Sequence, residues 1–391
     1  MINFHYNIPT EIFFGKGQIQ VLSKEIKKYG KKVLFVYGGG SIKKIGLYDE
    51  IINIFKENAI DFIELSGVDP NPRITTVRKG IDLCRENNID FILAVGGGSV
   101  IDCSKFIAGG VYYDGDPWDF FIGKGKVKKA LPLGTILTIA ATGSEMNNGG
   151  VITNLDTNEK LDSGSRYLYP KFSILDPTYT YTVPKYQTAA GVVDIMSHIF
   201  EVYFTPTKDT FIQNSLAEAL LKTVFKYGLV AFNEPKNYDA RANLMWASSL
   251  SINGLLSYGK ETNWAVHAME HELSAFYDIT HGVGLGILTP VWMEYILSDN
   301  TNTVEDIANY GINVFNLEKS SSPYETAKKA IDKTRDFIKS LQIPMSLKEV
   351  GIEEEKLEEM AIRAVKNHNG KVGNYPTLTE KDILEIYKRA F

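Results

Sequence analysis

The amino-acid sequence predicts two domains, a parallel α/β domain over residues 1–184 and an all-helical domain over residues 185–391. Three observations support this fold class. In the first half, short apolar runs alternate with amphipathic segments, and two of the runs end in three glycines. In the second half, long segments carry the periodicity of helices. A chain of 391 residues is also longer than one ordinary hydrophobic core accommodates.

Strands and helices alternate in the first half. The apolar runs at 32–37, 61–65 and 90–95 are predicted strands, and the amphipathic segments at 47–58 and 74–86 are predicted helices. Strands that are apolar over most of their length are typical of a parallel sheet with both faces covered by helices.

The second half has a different texture. The segments 211–232, 238–256 and 324–341 are long and helically periodic. Turn-forming residues separate them, as in Asn233-Glu234-Pro235 and in the serines that precede Pro323. We therefore expect an all-helical domain, with a boundary near Pro184 that is defined to within several residues.

Composition excludes several classes of protein. The chain is 44% hydrophobic and 23% charged, its formal net charge is −5, and it has no basic block, so nucleic-acid binding is not expected. No apolar stretch reaches the roughly 18–20 residues of a membrane span, and no signal peptide is recognisable. Two cysteines exclude a disulfide framework and fit a cytoplasmic setting.

Two glycine loops follow predicted strands. Gly38 to Ser41 and Gly96 to Ser99 place bare backbone N–H groups where a helix is expected to begin, which suits a pyrophosphate. The alternative is a pair of tight turns without a ligand. Two such loops at the carboxyl ends of parallel strands favour a Rossmann-like nucleotide-binding domain. Neither loop has the GxGxxG or phosphate-loop pattern, so the motif alone does not specify the nucleotide.

The first loop also bears on which nucleotide binds. An acidic residue at the end of this strand would bond a ribose hydroxyl and repel a 2′-phosphate. Between the end of the strand at Tyr37 and Asp49 the chain has no acidic residue, whereas Ser41, Lys43 and Lys44 offer a hydroxyl and two positive charges. This favours NADP over NAD. Further along, Thr138, Thr142 and Ser144 offer hydroxyls, although strand and turn chemistry explains them equally well.

Five potential metal ligands lie in the second half. Asp194 and His198 are four residues apart, as are His267 and His271, and His281 follows. A helix places residues four apart on one face, and one carboxylate with three imidazoles can surround a divalent ion. Any one of these histidines alone would more simply be an interior residue. Spacing does not say which of His267 and His271 is the ligand.

The motifs together resemble the iron-containing, or group III, alcohol dehydrogenases. The resemblance runs along essentially the whole chain. Within that family, the sequence is most similar to the butanol dehydrogenases and the NADPH-dependent aldehyde reductases. The segments that carry it are PTEIFFGKG at 9–17, YGGGSIKK at 37–44, DPNPR at 69–73, GGGSVIDCSK at 96–105, ATGSE at 141–145, the stretch from Pro184 to Glu201, RANLMWASS at 241–249, and Trp264 to Gly284.

This resemblance implies a fold like that of dehydroquinate synthase and a set of functional positions. The implied ligands of one divalent metal, Fe²⁺ or Zn²⁺, are Asp194, His198, His267 and His281. His271 would lie beside the metal as a catalytic proton relay. The positions implied for NADP(H), with NAD(H) also possible, are Gly38, Gly39 and Ser41 at the adenosine end, and Asn71, Gly97, Ser99, Asp102, Thr138, Thr142 and Lys160 along the rest of the cofactor.

The expected function is hydride transfer between the nicotinamide and a short primary alcohol or its aldehyde, in a homodimer. One alternative is a lyase or cyclase of the dehydroquinate synthase type, but the second half shows no cluster of basic residues for a charged substrate. The other is a regulatory nucleotide-binding protein, in which an open metal position beside a nicotinamide would have no use.

Overall fold

The structure, a computed structural model, describes residues 1–297 and 301–391. The chain divides into two compact units. The α/β unit comprises Asn7–Val183 and Pro235–Ser249, and the helical unit comprises Met1–Tyr6, Pro184–Glu234 and Leu250–Phe391. A single division at residue 184 would put Met1–Tyr6 and Pro235–Ser249 in the other unit. The assignment of a nucleotide-binding and a catalytic domain stays a prediction.

The α/β unit is built on a six-stranded sheet whose neighbouring strands are all parallel. Its strands, in chain order, are β1 (Glu11–Phe14), β2 (Lys32–Tyr37), β3 (Asp61–Leu65), β4 (Phe91–Gly96), β5 (Leu133–Leu137) and, after an antiparallel hairpin of β6 (Gly149–Asn154) and β7 (Glu159–Gly164), β8 (Phe172–Leu175). The order across the sheet is β1-β8-β5-β4-β2-β3.

Both faces of this sheet are covered. Along β2, Leu34 and Val36 join the core on one face, whereas Val33 and Phe35 join the core on the other. The alternation follows from the two-residue period of a strand. The helices of the unit are α1 (Leu22–Lys27), α2 (Ser41–Lys44), α3 (Leu47–Glu57), α4 (Ile74–Glu86), α5 (Gly98–Gly110) and most of α8 (Tyr238–Ile252).

Helices make up the regular structure of the helical unit in the part of the chain described. They are α6 (Lys185–Tyr203), α7 (Phe211–Asn233), α9 (Ala265–Tyr277), α10 (His281–Leu297), α11 (Thr301–Phe315), α12 (Pro323–Ser340), α13 (Leu357–Asn367) and α14 (Glu380–Ala390). Helix α6 is buried from Thr188 to Tyr203, and it packs against α7, α9 and α10. A helix buried on all sides can carry polar side chains only where other polar groups meet them.

The predicted fold class, an α/β domain followed by an all-helical one, is confirmed. The predicted strands at 32–37 and 61–65 have the observed bounds, and the helix at 74–86 does too. The predicted helix at 238–256 is too long, because α8 ends at Ile252. Gly254 has a φ of 103°, and the Asn253 side chain accepts a hydrogen bond from the Leu255 amide, so a turn replaces the helix.

Membrane-spanning helices were not expected from the sequence. Among the helices of the described residues, none combines the length and the apolar character needed to cross a bilayer.

Candidate metal centre and nucleotide loops

Helix α6 presents two of the predicted metal ligands on one face. Asp194 and His198 are 3% and 4% exposed, and His198 Nε2 lies 3.5 Å from Asp194 Oδ1. The four-residue spacing causes this approach, because residues one turn apart on a helix lie above one another.

The other two predicted ligands come from the starts of α9 and α10. Asp194, His267 and His281 each offer one ligand atom, and these three atoms all lie within 4.8 Å of one another. His281 Nε2 is 3.7 Å from Asp194 Oδ1. The His198 ring stacks on the His267 ring with centroids 4.8 Å apart, so the fourth residue joins the same cluster. We refer to Asp194, His198, His267 and His281 as the Asp–His cluster.

The donor chemistry of this cluster fits a divalent metal. His267 Nε2 is buried and has no hydrogen-bond partner among the described residues. A buried ring nitrogen without a partner is costly unless something else binds it. One carboxylate and three imidazoles are a ligand set that Fe²⁺ and Zn²⁺ both accept.

The surroundings of His198 favour its neutral form. Burial lowers the pKa of His198 well below its usual value, and the neighbouring His267 and His281 lower it further. The imidazole is therefore neutral at neutral pH, as a ligand to a cation must be.

His271 lies beside the Asp–His cluster, one turn along α9 from His267. Its ring centroid is 5.7 Å from that of His281 and 6.5 Å from that of His267. With Glu270 and His281 it forms a second group whose ligand atoms come within 4.8 Å of one another. Its role as a proton relay stays a prediction.

Two buried glutamates hold the histidines, and sequence reasoning missed both. Glu201 lies 3.2 Å from His267 Nδ1, and Glu270 hydrogen-bonds to His281 Nδ1 and to the Ser274 hydroxyl. The available signal was that Glu201 falls three residues after His198, on the same buried helix. Carboxylates that bond the far nitrogen of a ligand histidine are common supports of metal sites.

Both glycine loops lie at the carboxyl edge of the parallel sheet, on the neighbouring strands β2 and β4. Gly40 has a φ of 106°, and Ser41 begins the short helix α2. On β4, Gly97 precedes α5, of which Ser99 is the second residue. Gly38 and Gly39 follow β2 directly, and Thr138 follows β5, with its amide bonded to the Gly96 carbonyl.

Close packing also requires glycine in the second loop. A Cβ atom on Gly97 would lie 2.4 Å from Ile139 Cγ2, and one on Gly98 would lie 2.3 Å from Thr142 Oγ1. The tight-turn alternative therefore has a structural basis here, and nucleotide binding by this loop stays a prediction.

A buried charged network lies behind the second loop, around α5. Asp102 accepts hydrogen bonds from the Ser144 hydroxyl at 2.5 Å and from the Val151 amide at 2.9 Å. Lys105, fully buried, donates from Nζ to Ser144 Oγ, to Asn147 Oδ1 and to the Gly149 carbonyl. Burial raises the pKa of Asp102, and burial lowers that of Lys105 to about 8. The network joins α5 to the 142–145 loop and to β6.

Two further predicted cofactor positions are Lys160 and Asn71, of which Lys160 acts on this network. Lys160, on β7, is 4% exposed, and its charge acts to lower the pKa of Asp102. Asn71 follows β3 with a φ of 51°, a left-handed conformation that asparagine tolerates.

An acid near the first loop escaped the sequence argument. Glu64, on β3, accepts hydrogen bonds from the hydroxyls of Tyr37 at 2.5 Å and of Tyr48 at 2.8 Å. Lys43 Nζ stands 4.6 Å from the centre of the Tyr48 ring. Although the loop between Tyr37 and Asp49 has no acidic residue, strand pairing places Glu64 beside Phe35, so an acidic side chain does lie close to this loop.

The chain matches one family in both halves. Residues 9–177 match the family described as iron-containing alcohol dehydrogenase, and residues 188–391 match the C-terminal part of the Fe-containing alcohol dehydrogenase family. NADH-dependent butanol dehydrogenase A of Clostridium acetobutylicum is 59% identical over 391 residues, which is 100% of both chains. NADPH-dependent aldehyde reductase YqhD of Escherichia coli is 38% identical over 394 aligned positions, again covering 100% of both.

Solved structures agree with the sequence matches. The crystal structure of NADH-dependent butanol dehydrogenase A from Thermotoga maritima has a TM-score of 0.95 and 40% identity, covering 100% of this chain and 99% of that one. These relatives favour a dehydrogenase over the lyase or cyclase alternative. The chain belongs to the iron-containing alcohol dehydrogenase family and is an oxidoreductase of the alcohol dehydrogenase class.

Proposed function

We propose that this protein transfers a hydride between a nicotinamide dinucleotide and a short primary alcohol or its aldehyde, of the butanol and butyraldehyde type. The observation that carries the proposal is the Asp–His cluster, in which Asp194 and His267 are buried, His281 is partly buried, and the ligand atoms of these three lie within 4.8 Å of one another. The names of the butanol dehydrogenase and aldehyde reductase relatives support the substrate class.

We assign the four members of the Asp–His cluster as ligands of one divalent ion, Fe²⁺ or Zn²⁺. When bound, the metal would polarise the substrate oxygen and the nicotinamide would give or take the hydride. The family description favours iron, whereas the donor set suits either metal. Asp194 and His198 supply one half of the set from a single buried helix, so their separation is fixed before a metal arrives.

His271 is assigned to proton transfer. Its ring lies beside that of His281, and its ligand atom groups with those of Glu270 and His281, so the choice of His271 as the relay and not as a ligand rests on the family resemblance. An imidazole exchanges protons near neutral pH, so a histidine at this position can carry the alcohol proton away from the reacting centre.

The nucleotide is assigned to the carboxyl edge of the sheet. Gly97 and Ser99 would hold the pyrophosphate at the start of α5, and Gly38, Gly39 and Ser41 would hold the adenosine end. Asn71, Asp102, Thr138, Thr142 and Lys160 would contact the rest. We propose that the loop after β2 admits NADP(H) as well as NAD(H), since it carries no acid of its own while 59%-identical relatives are NADH-dependent.

Butyraldehyde reduction tests the whole assignment. The purified protein is assayed by nicotinamide absorbance with NADH and with NADPH, before chelation, after chelation, and after restoring Fe²⁺ or Zn²⁺. We expect activity that disappears with the metal and returns with one of the two ions. No oxidation of either nucleotide under any metal condition would overturn the proposal.

A homodimer and a cytoplasmic location complete the proposal, as the family resemblance implies. Both cysteines, Cys84 and Cys103, are buried free thiols, which suits a reducing compartment. Light scattering on the purified protein would measure the mass of the assembly.

A further inference from the structure

Helix α9 begins in an unusual way. Trp264, the residue before it, has φ 56° and ψ 24°, a left-handed conformation that is uncommon for a bulky residue, and its side chain does not cap the helix. The first amides of any helix lack partners within the helix. At α9 these amides are buried, so they need an acceptor from elsewhere in the unit.

Glu201 of α6 is that acceptor. Its carboxylate accepts hydrogen bonds from the amides of Ala265 at 3.1 Å, Val266 at 2.7 Å and His267 at 3.0 Å. Glu201 is 1% exposed, and its side-chain ion pair among the described residues is with a histidine and not with lysine or arginine. A negative charge at a helix N-terminus is stabilised by the aligned N–H groups.

The same carboxylate reaches the His267 ring. Glu201 Oε1, which accepts from the Val266 and His267 amides, also lies 3.2 Å from His267 Nδ1. Backbone amides can only donate, so Oε1 is an acceptor here, and Nδ1 is the ring nitrogen that carries the proton toward it. The neutral ring then has its lone pair on Nε2, the buried nitrogen that has no hydrogen-bond partner in the described structure.

We infer that Glu201 is a positioning residue that both starts helix α9 and sets the tautomer of His267, so that Nε2 faces the metal as a lone-pair donor. The inference rests on the proposed metal function of the Asp–His cluster. Glu270 hydrogen-bonds to His281 Nδ1 and to the Ser274 hydroxyl, whereas Glu201 binds both the ring and the backbone amide of His267. Loss of Glu201 therefore affects the ring and the backbone of His267 together.

Metal affinity separates this role from ordinary helix capping. Glu201→Gln keeps the size of the side chain and removes its charge. Glu218→Gln is the matched control, because Glu218 also accepts two side-chain hydrogen bonds in the helical unit, from Tyr203 and Asn313, away from the cluster. Each metal-stripped protein is titrated with Co²⁺ against a competing chelator, at a temperature where its unfolding curve shows it folded.

We expect Glu201→Gln to bind Co²⁺ about 10–100-fold more weakly than the unaltered protein, and Glu218→Gln to bind it equally well. A helix cap without a role at the metal would lower the melting temperature of Glu201→Gln and leave the Co²⁺ affinity of its folded form unchanged. Equal affinity would overturn the inference.

The tautomer can be read without any metal. In metal-free protein labelled with ¹⁵N-histidine, and assigned by comparison with His267→Asn, the His267 signals should report a protonated Nδ1 and a bare Nε2. A protonated Nε2 would overturn the inference, even if Glu201→Gln does not fold. If the expected tautomer is found but the unaltered protein binds no Co²⁺, the proposed metal site fails and the tautomer assignment survives.

Discussion

At the scale of single residues, the Asp–His cluster depends most on His267. Its Nε2 is buried, and the ring touches the His198 ring and the Glu201 carboxylate. Under the proposed ligand set, His267→Ala removes one of four metal ligands while leaving the α/β unit unaltered.

We expect His267→Ala to abolish butyraldehyde reduction and to leave the NADPH dissociation constant within about twofold of its original value. Turnover is measured by nicotinamide absorbance and binding by fluorescence titration. His368→Ala is the control, because the His368 ring pairs with the Ala364 carbonyl at the end of α13 and is not a member of the Asp–His cluster. Unchanged turnover in His267→Ala would reject the ligand assignment.

Lys105 is the second residue with a specific consequence. Its ammonium group is buried among three acceptors beside the Asp102 carboxylate. Removing one partner of a buried charged pair typically costs about 3–5 kcal/mol. We expect Lys105→Met to lower the free energy of unfolding, measured by urea denaturation at pH 7, by about this amount.

The pH dependence of that difference follows from the pKa of Lys105. Burial lowers it to about 8 in the folded protein, from 10.5 when unfolded. Between these values the unfolded chain holds a proton that the folded chain lacks, so unfolding takes up a proton and stability rises with pH. The unaltered protein should gain about 1.4 kcal/mol per pH unit over Lys105→Met from pH 8 to 10.5. A constant difference would contradict the lowered pKa.

Residue spacing predicted part of this site and missed the rest for a physical reason. Asp194 and His198 were recognisable because one helix holds both. Spacing could not distinguish His267 from His271, and the family resemblance supplied that choice. Glu201 shares its helix with His198, but its partner His267 lies on another helix, Glu270 likewise meets His281 of the next helix, and Glu64 reaches the first loop through strand pairing, so spacing along the chain does not reveal these partners.

At the scale of elements, two separate requirements for a residue without a side chain meet at Gly97, in the loop between β4 and α5. Gly97 must leave room for Ile139, and under the proposed function it must also let a pyrophosphate approach the backbone. A pair of variants separates these demands.

Gly97→Ala should lower the free energy of unfolding by about 1–3 kcal/mol, because the new methyl group overlaps Ile139 Cγ2. Adding Ile139→Ala removes the overlapping atom and should restore part of that loss. Nucleotide affinity should stay reduced in the double variant, as measured by fluorescence titration. Recovery of both stability and affinity would mean that packing alone requires this glycine.

Element bounds were predicted best where the local signal was strong. The strand at 32–37 is apolar throughout, and the helix at 74–86 has a clear apolar face. The helix at 238–256 was extended too far because its apolar residues continue past Gly254, whose backbone conformation ends the helix. The hairpin of β6 and β7 was not predicted, since its polar strands carry little apolar alternation.

At the scale of the whole molecule, the α/β unit is not a continuous piece of chain. Met245 belongs to one of its cores, and the Ser249 hydroxyl donates to the buried Glu145 carboxylate at 2.5 Å. Both residues lie in Pro235–Ser249, beyond the stretch Asn7–Val183 that supplies the sheet.

A fragment of residues 1–184 should therefore not unfold cooperatively. It would leave the Glu145 carboxylate without the Ser249 hydroxyl and a gap in place of Met245, each costing about 1–5 kcal/mol against a typical domain stability of about 5–15 kcal/mol. Circular dichroism during urea titration tests this, with the full chain as control. A sharp, cooperative transition of the fragment would show that its core is complete without residues 235–249.

Because the ribosome synthesises the chain from the N-terminus, the discontinuous α/β unit cannot complete its core early in synthesis. The sheet strands are all made by residue 175, yet the segment that completes their core emerges only after Pro235. The Ile2 amide can form its hydrogen bond to the Gly259 carbonyl only after residue 259 has been synthesised. Domains that are continuous can fold one after another as they emerge. Here the core of the α/β unit stays incomplete until residues 184–234 of the helical unit have been synthesised. A nascent chain that stalls before residue 249 would therefore expose apolar surface of the α/β unit.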